Sequence, residues 1–171
     1  MSYLGKIKVS DNFIEDKNIF KGMKDLLMSN EFPYYYNNTV GDKEDTSDFY
    51  FSHRLYDNNQ QTSDFFNKIV PPILDRLEFE KLYRAKVNCY TKKHKHIPTK
   101  MHTDLKVNKV PLQHTVALFS INNNNGYTFF ENGDKVLSKE NQLILFNGDI
   151  KHCSVAQTDK SLRINININL L

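Results

Sequence analysis

Two different periods of hydrophobic and polar positions divide the chain. Near the start, residues 16–29 (DKNIFKGMKDLLMS) place Ile19, Phe20, Met23, Leu26 and Leu27 on one helical face, with Asp16 in the N-cap position. Residues 33–47 are rich in Tyr, Asn and Asp and read as a surface loop, and residues 48–56 alternate as a strand does. Thr62-Ser63-Asp64 opens a second helix through Phe65, Phe66, Ile69 and Val70, which Pro71-Pro72 bends or restarts before Ile73, Leu74 and Leu77. From Lys81 onward the period is two. Strands are predicted over 82–91, around 101–105, and over 112–121, 126–131, 134–138, 142–147, 152–157 and 161–170. Residues 122–126, 132–134 (NGD) and 147–149 (NGD) supply turn chemistry between them.

Short strands after a pair of helices predict a mainly β fold with N-terminal helices and a double-stranded β-helix core of the jelly-roll or cupin type. The chain reads as one domain, with residues 1–80 a helical front plus a supporting strand and residues 81–171 the roll. It carries no internal repeat and no linker-like stretch.

Two strands show which polar residues face inward. In 161–170, Ile164, Ile166, Ile168 and Leu170 point one way while Arg163, Asn165, Asn167 and Asn169 point the other. In 82–91, Tyr83, Ala85, Val87 and Cys89 oppose Arg84, Lys86, Asn88 and Tyr90. The apolar faces belong under the helices, and the polar faces line the roll. Antiparallel pairing of these strands would set Tyr90 beside Arg163 and Asn88 beside Asn165. For Arg84, Lys86, Asn167 and Asn169, farther along, solvent exposure or structural hydrogen bonding is the reading.

Composition narrows the class. With 171 residues, 39% hydrophobic and 25% charged, the chain is long enough for a substantial core. A net charge of +3 is too small to argue for a nucleic-acid binder by itself. No run approaches the roughly eighteen apolar residues of a membrane span. The opening MSYLGKIKVSDNF lacks an apolar signal core, so a cytoplasmic protein without membrane attachment is expected. Cys89 and Cys153 sit in apolar strand contexts and read as small buried hydrophobes rather than a disulfide or metal ligands.

The chemistry concentrates in the roll. His102-Thr103-Asp104, a long gap, His152 and then Arg163 offer two imidazoles, one carboxylate and a guanidinium. Two His and one carboxylate form a facial site for non-heme Fe(II) with positions left open, and an arginine fork suits a carboxylate. His94 and His96, in the basic run Lys92-Lys93-His94-Lys95-His96, read as solvated, and His114 as structural. The basic stretch from Lys92 to Lys109 reads first as a solvated rim, and otherwise as an attractor for an acidic or phosphorylated substrate. Tyr34, Tyr35, Tyr36 and Phe49 read as packing aromatics before they read as a substrate mouth.

The segment 81–171 resembles the 2-oxoglutarate- and Fe(II)-dependent oxygenases in its His102-Thr103-Asp104 triplet, distal His152 and Arg163. Asn125-Gly126-Tyr127-Thr128-Phe129-Phe130 is similar to the strand entry of the prolyl-hydroxylase-like branch, with Asn125 in place of a glycine and tolerating a left-handed turn. Asn88-Cys89-Tyr90 and Arg163-Ile164-Asn165 are similar to AlkB-type strands, although Asn169 stands where that branch has a second arginine. The resemblance implies Fe(II) held by His102, Asp104 and His152, with O2 as the oxidant. It implies 2-oxoglutarate seated on Arg163 with Tyr90, Asn88 and Asn165 at hand, and His152, Ser154 and Ala156 on a strand face that leaves room for it. Hydroxylation of a prolyl or other amino-acyl C–H bond is the implied reaction. Oxidation of a nucleic acid or nucleotide, and a non-catalytic metal-binding roll, are the alternatives.

Overall fold

The computed structural model describes residues 7–39, 48–108 and 110–171. β1 (Lys8–Ser10) leads into helix α1 (Lys17–Leu27). Its first free amides are capped by the Asp16 carboxylate, which accepts from the N–H of Asn18 at 2.8 Å and of Ile19 at 3.2 Å. β2 (Tyr35–Asn37), β3 (Tyr50–Asp57) and β4 (Gln60–Gln61) follow. Two single-turn helices, α2 (Phe66–Ile69) and α3 (Pro71–Leu74), replace the expected second helix. Pro71 and Pro72 have no N–H to continue α2, so Pro71 starts a new turn instead.

The roll begins with β5 (Leu82–Thr91) and a small hairpin of β6 (Lys106–Val107) and β7 (Val110–Pro111). β8 (Thr115–Ser120), β9 (Tyr127–Phe130), β10 (Lys135–Leu137), β11 (Gln142–Asn147), β12 (His152–Val155) and β13 (Leu162–Leu170) complete it. The large sheet has the order β1-β11-β8-β13-β5-β3-β2, with β4 paired to β3, and the small sheet has the order β10-β9-β12. All pairings are antiparallel. The expected mainly β, jelly-roll architecture is the one found.

One face of the large sheet is dry. Phe20, Met23 and Leu27 of α1 and Ile69, Val70 and Ile73 of the short helices pack on Ile164, Ile166 and Ile168 of β13 and on Ala85, Val87 and Cys89 of β5. Each isoleucine so buried contributes about 1.5–3 kcal/mol. A second cluster, Val116, Leu118, Phe130, Ile144 and Phe146, fills part of the space between the two sheets. The remainder of that space is polar and holds the site. Among the described residues no helix is long and apolar enough to cross a membrane.

Several expectations are corrected. The front is not helices plus one strand: β1, β2, β3 and β4 all extend the large sheet from residues 8–61. β2 lies inside the segment read as a loop, of which residues 40–47 fall outside the described residues, as does Lys109 of the basic stretch. The strand expected around 101–105 is reduced to a bridge between His102 and His152. Pairing along β12 involves residues 97–102 instead: Pro98 bridges Val155, with the hydrogen bonds made by the flanking Ile97 carbonyl and Thr99 N–H, so the missing proline N–H is not needed. The strand expected over 112–121 starts at Thr115. Asn125 does not adopt the left-handed conformation either. Its side chain instead closes the turn, donating to Thr158 Oγ1 at 2.7 Å and accepting from Thr158 N–H at 2.8 Å.

Candidate functional site

The β5–β13 register places Arg163 opposite Tyr90 and Asn165 opposite Asn88, in agreement with the alternation of the two strands. Residues directly opposite in an antiparallel pair share a face, so this register gathers all four on the inner side of the large sheet. In the small sheet His152 lies opposite Phe130 and Ser154 opposite Thr128. That sheet therefore presents an imidazole and two hydroxyls to the same interior. His102, Asp104, His152, Arg163, Tyr90, Asn88 and Asn165 all line one cavity of about 260 Å³.

At one end, single ligand atoms of His102, Asp104 and His152 lie within 4.8 Å of one another. Nε2 of His102 and Nε2 of His152 are each 3.8 Å from Asp104 Oδ1. The two histidines are held by reciprocal backbone hydrogen bonds of 3.0 Å, and their rings by bonds from Nδ1 to the carbonyls of Lys100 and Ile150, both 3.1 Å. A ring whose Nδ1–H is committed to a carbonyl keeps its Nε2 lone pair free for a metal. Burial, reinforced by the neighbouring His152, lowers the His102 pKa and favours that neutral form. The ring of Phe130, tilted by 40° to the imidazole, and that of Phe146, edge-on to it at 72°, close the His152 side.

Asp104 is fixed from its other oxygen. Oδ2 accepts from Asn167 Nδ2 at 2.9 Å and from Asn169 Nδ2 at 3.0 Å, which leaves Oδ1 facing the two imidazoles. Arg84 stands 3.9 Å from Oδ1 and donates to Asn169 Oδ1 at 2.8 Å. Burial opposes charge on Asp104, but His152, Arg84, Lys86 and His102 together hold its carboxyl well below the usual range. These interactions assign Asn167, Asn169 and Arg84 to the structural hydrogen bonding that the alternation left open against solvent.

At the other end, Arg163 is 2% exposed. It donates to Ser154 Oγ at 2.7 Å, to the Val155 carbonyl at 3.2 Å and to Thr128 Oγ1 at 3.4 Å, so it spans from the large sheet to the small one. Its guanidinium carbon is 5.7 Å from the Tyr90 ring centroid, and Tyr90 stacks on Tyr50 at 5.4 Å. Burial, with Tyr50 beside it, pushes the Tyr90 phenol up, which keeps it a hydrogen-bond donor. Asn88 Nδ2 donates to Asn165 Oδ1 at 2.9 Å. Arg163 Nε, Asn88 Oδ1 and Asn167 Oδ1 are buried without a partner among the described residues. Orphaned polar atoms of this kind around a cavity fit a polar ligand, and two imidazoles with one carboxylate fit a divalent iron.

The remaining sequence readings resolve individually. Ser154 does more than leave room, since its hydroxyl holds Arg163, while Ala156 meets His96 through its carbonyl at 2.8 Å. His94 is exposed, and neither it nor His96 joins the metal-ligand cluster. His114 is buried, with Nδ1 donating to the Leu112 carbonyl at 2.6 Å. Cys89 and Cys153 are free and buried, and burial raises both thiols, that of Cys89 to about 11. Tyr34 packs against the core, whereas Tyr35 and Tyr36 are exposed. The mouth is lined by Asn37, Thr39, Tyr50 and Arg54 of the front, which no sequence signal marks. Thr128 is the most legible of the residues that sequence reasoning misses, being two before Phe130 on an alternating strand.

No family model and no curated protein sequence matches this chain. Solved structures do. A prolyl hydroxylase from Trichoplax adhaerens, in complex with a peptide fragment of the hypoxia inducible factor oxygen degradation domain, superposes with a TM-score of 0.61 at 11% identity, over 96% of this chain and 83% of that one. A 2OG-Fe(II) oxygenase family oxidoreductase from Burkholderia pseudomallei gives 0.59 at 11% identity, over 95% and 84%. The 2OG complex of a collagen prolyl hydroxylase from Paramecium Bursaria Chlorella virus-1 gives 0.57 at 12% identity, over 98% and 97%. The chain therefore has the fold of the 2-oxoglutarate–Fe(II) oxygenases.

Proposed function

We propose that this protein is a 2-oxoglutarate- and Fe(II)-dependent oxygenase that hydroxylates a C–H bond of an amino-acyl substrate, prolyl or other. The observation that carries the reading is the meeting of His102 Nε2, His152 Nε2 and Asp104 Oδ1 at one end of the cavity that holds Arg163 at the other. The peptide-bound Trichoplax neighbour supports an amino-acyl substrate.

In this reading His102, Asp104 and His152 hold the iron and leave its remaining positions open. Arg163 takes the distal carboxylate of 2-oxoglutarate, with the hydroxyls of Ser154, Thr128 and Tyr90 beside it and Asn88 and Asn165 along its length. When bound, iron, 2-oxoglutarate and O2 supply the oxidising chemistry, with succinate and carbon dioxide as by-products. The protein's part is orientation and exclusion. Asn167 and Asn169 fix which oxygen Asp104 presents, Phe130 and Phe146 keep His152 upright, and Arg163 carries its charge in a seat too buried for water to compete.

The test combines binding with turnover. Mn(II)-loaded protein should bind 2-oxoglutarate, and Arg163→Met should weaken that binding on the order of 100-fold while metal binding persists, as expected for loss of about 2–3 kcal/mol of charged hydrogen bonds. With Fe(II), O2 and 2-oxoglutarate the protein should release succinate, and His102→Ala should abolish it. Metal bound without any affinity for 2-oxoglutarate would instead identify a metal-binding roll that does not turn over.

A further inference from the structure

The charge inside the cavity is lopsided. Of its lining residues Arg54, Arg84, Lys86 and Arg163 are cations, and Asp104 is the one carboxylate among the described residues. Three of the four cations are accounted for. Arg84 faces Asp104 at 3.9 Å, Arg54 is paired with Asp57 at 2.8 Å, and Arg163 forms the seat assigned above to the cosubstrate. Lys86 has no carboxylate partner among the described residues. Its ammonium lies 3.4 Å from the Tyr50 hydroxyl and 5.5 Å from that ring's centroid.

Lys86 is half-buried, and its position on β5 sets it on the inner face between Arg84 and Asn88. Lys86 lies opposite Asn167 in the β5–β13 register, and Asn167 donates to Asp104 at 2.9 Å. Lys86 therefore stands nearer the metal ligands along the sheet than Tyr90 and Arg163 do, and its charge helps hold the Asp104 carboxyl down. A half-buried cation whose nearest group is the Tyr50 phenol, and which shares the single Asp104 charge with Arg84, is incompletely compensated. A divalent metal and a dicarboxylate together carry no net charge, so binding both leaves the excess of cations lining the cavity unchanged.

Resting on the oxygenase reading, we infer that Lys86 is the docking cation for an anionic group, carboxylate or phosphate, on the primary substrate. The cavity's size bounds that substrate. At about 260 Å³ it falls below the usual ligand-site range of about 300–1,000 Å³. With the cosubstrate inside, only a short portion of substrate enters, so the reacting C–H bond is a few bonds from the anion. Arg54, opposite Lys86 in the β3–β5 register, sits on the route in from the mouth.

The experiment uses full-length protein with Zn(II) in place of iron, saturated with 2-oxoglutarate, and with its lysines carbon-13 labelled. The Lys86 side-chain resonance, assigned by its loss in Lys86→Arg, is followed while acetate, inorganic phosphate or neutral acetamide is added. A saturable shift with acetate or phosphate, and none with acetamide, is the expected result, and the responding anion tells carboxylate from phosphate. Lys86→Met should change 2-oxoglutarate affinity by less than about threefold, whereas Lys86→Arg should still bind the anion. A Lys86 resonance indifferent to both anions, in protein that binds 2-oxoglutarate, overturns this inference alone. So does loss of 2-oxoglutarate binding in a folded Lys86→Met, which would make Lys86 part of the cosubstrate seat. Failure of the wild-type protein to bind 2-oxoglutarate at all removes the oxygenase reading and this inference with it.

Discussion

Asp104 shows how a single side chain can be prepared for the metal-ligand role proposed for it. A carboxylate has two equivalent oxygens, and a metal needs one of them in a known place. Asn167 and Asn169, successive inward residues of β13, both donate to Oδ2 and so settle the choice in favour of Oδ1. Residues that orient metal ligands in this way typically carry about 10–100-fold in metal affinity. Asn169→Ala is therefore expected to weaken Mn(II) or Fe(II) binding by about that factor. Because Asn169 is 0% exposed, Asn169→Asp is the harsher change, setting a second buried carboxylate against Asp104. Metal titration of the two variants beside the wild type checks both expectations. The alternation of β13 puts these asparagines on the inner face, but it does not tell a bond to Asp104 from exposure to water. That distinction needs the position of residue 104, which approaches β13 from a segment about sixty residues earlier in the chain.

Among the elements, β5 and β13 are legible because both are long, two-faced and antiparallel. A register slip by one residue would drive Arg163 and the asparagines into the isoleucine layer, so the pattern specifies the pairing as well as the faces. β1, β2 and β4 are not legible, being two or three residues long with no room for a period to show. They are held by an existing sheet edge rather than by their own sequence. The turn after β11 illustrates a different dependence. Asn147-Gly148-Asp149 reads as a turn, and it is one, yet Gly148 is required there for space. A Cβ at Gly148 would lie 2.0 Å from the buried His114 ring, while the Gly148 N–H donates to the His114 carbonyl at 2.7 Å. Gly148→Ala should therefore destabilise the fold by about 1–3 kcal/mol in denaturant unfolding. Combined with His114→Ala it should cost less than the two single changes summed, because the methyl added at position 148 then occupies space the ring has left.

Taken as one object, the molecule closes two sheets around a cavity whose walls come from β2, β3, β5, β8, β9, β12, β13 and the 102–104 segment. A ligand that bridges so many elements stabilises the folded state over the unfolded one. At about 100 times its Kd a ligand adds about 2.7 kcal/mol, which for a chain of this length raises Tm by about 5–10 °C. Mn(II) followed by 2-oxoglutarate should give two successive increments in a thermal melt, and chelation of the metal should reverse both. Arg163→Met should retain the first and lose the second.

The chain alone was enough to read a mainly β roll and the inner faces of β5 and β13 through hydrophobic periodicity and turn chemistry, and a candidate metal and carboxylate site through the residue types it carries. Those features are local or repeat along one strand, so composition and spacing carry them. The partners of Asp104, the bridging of Arg163 to Ser154 and Thr128, the placement of Lys86 against Tyr50 with no carboxylate partner among the described residues, and the front residues at the mouth all depended on the three-dimensional arrangement. Each arises where segments distant in sequence are brought within hydrogen-bond reach by sheet closure. No window of residues contains that information.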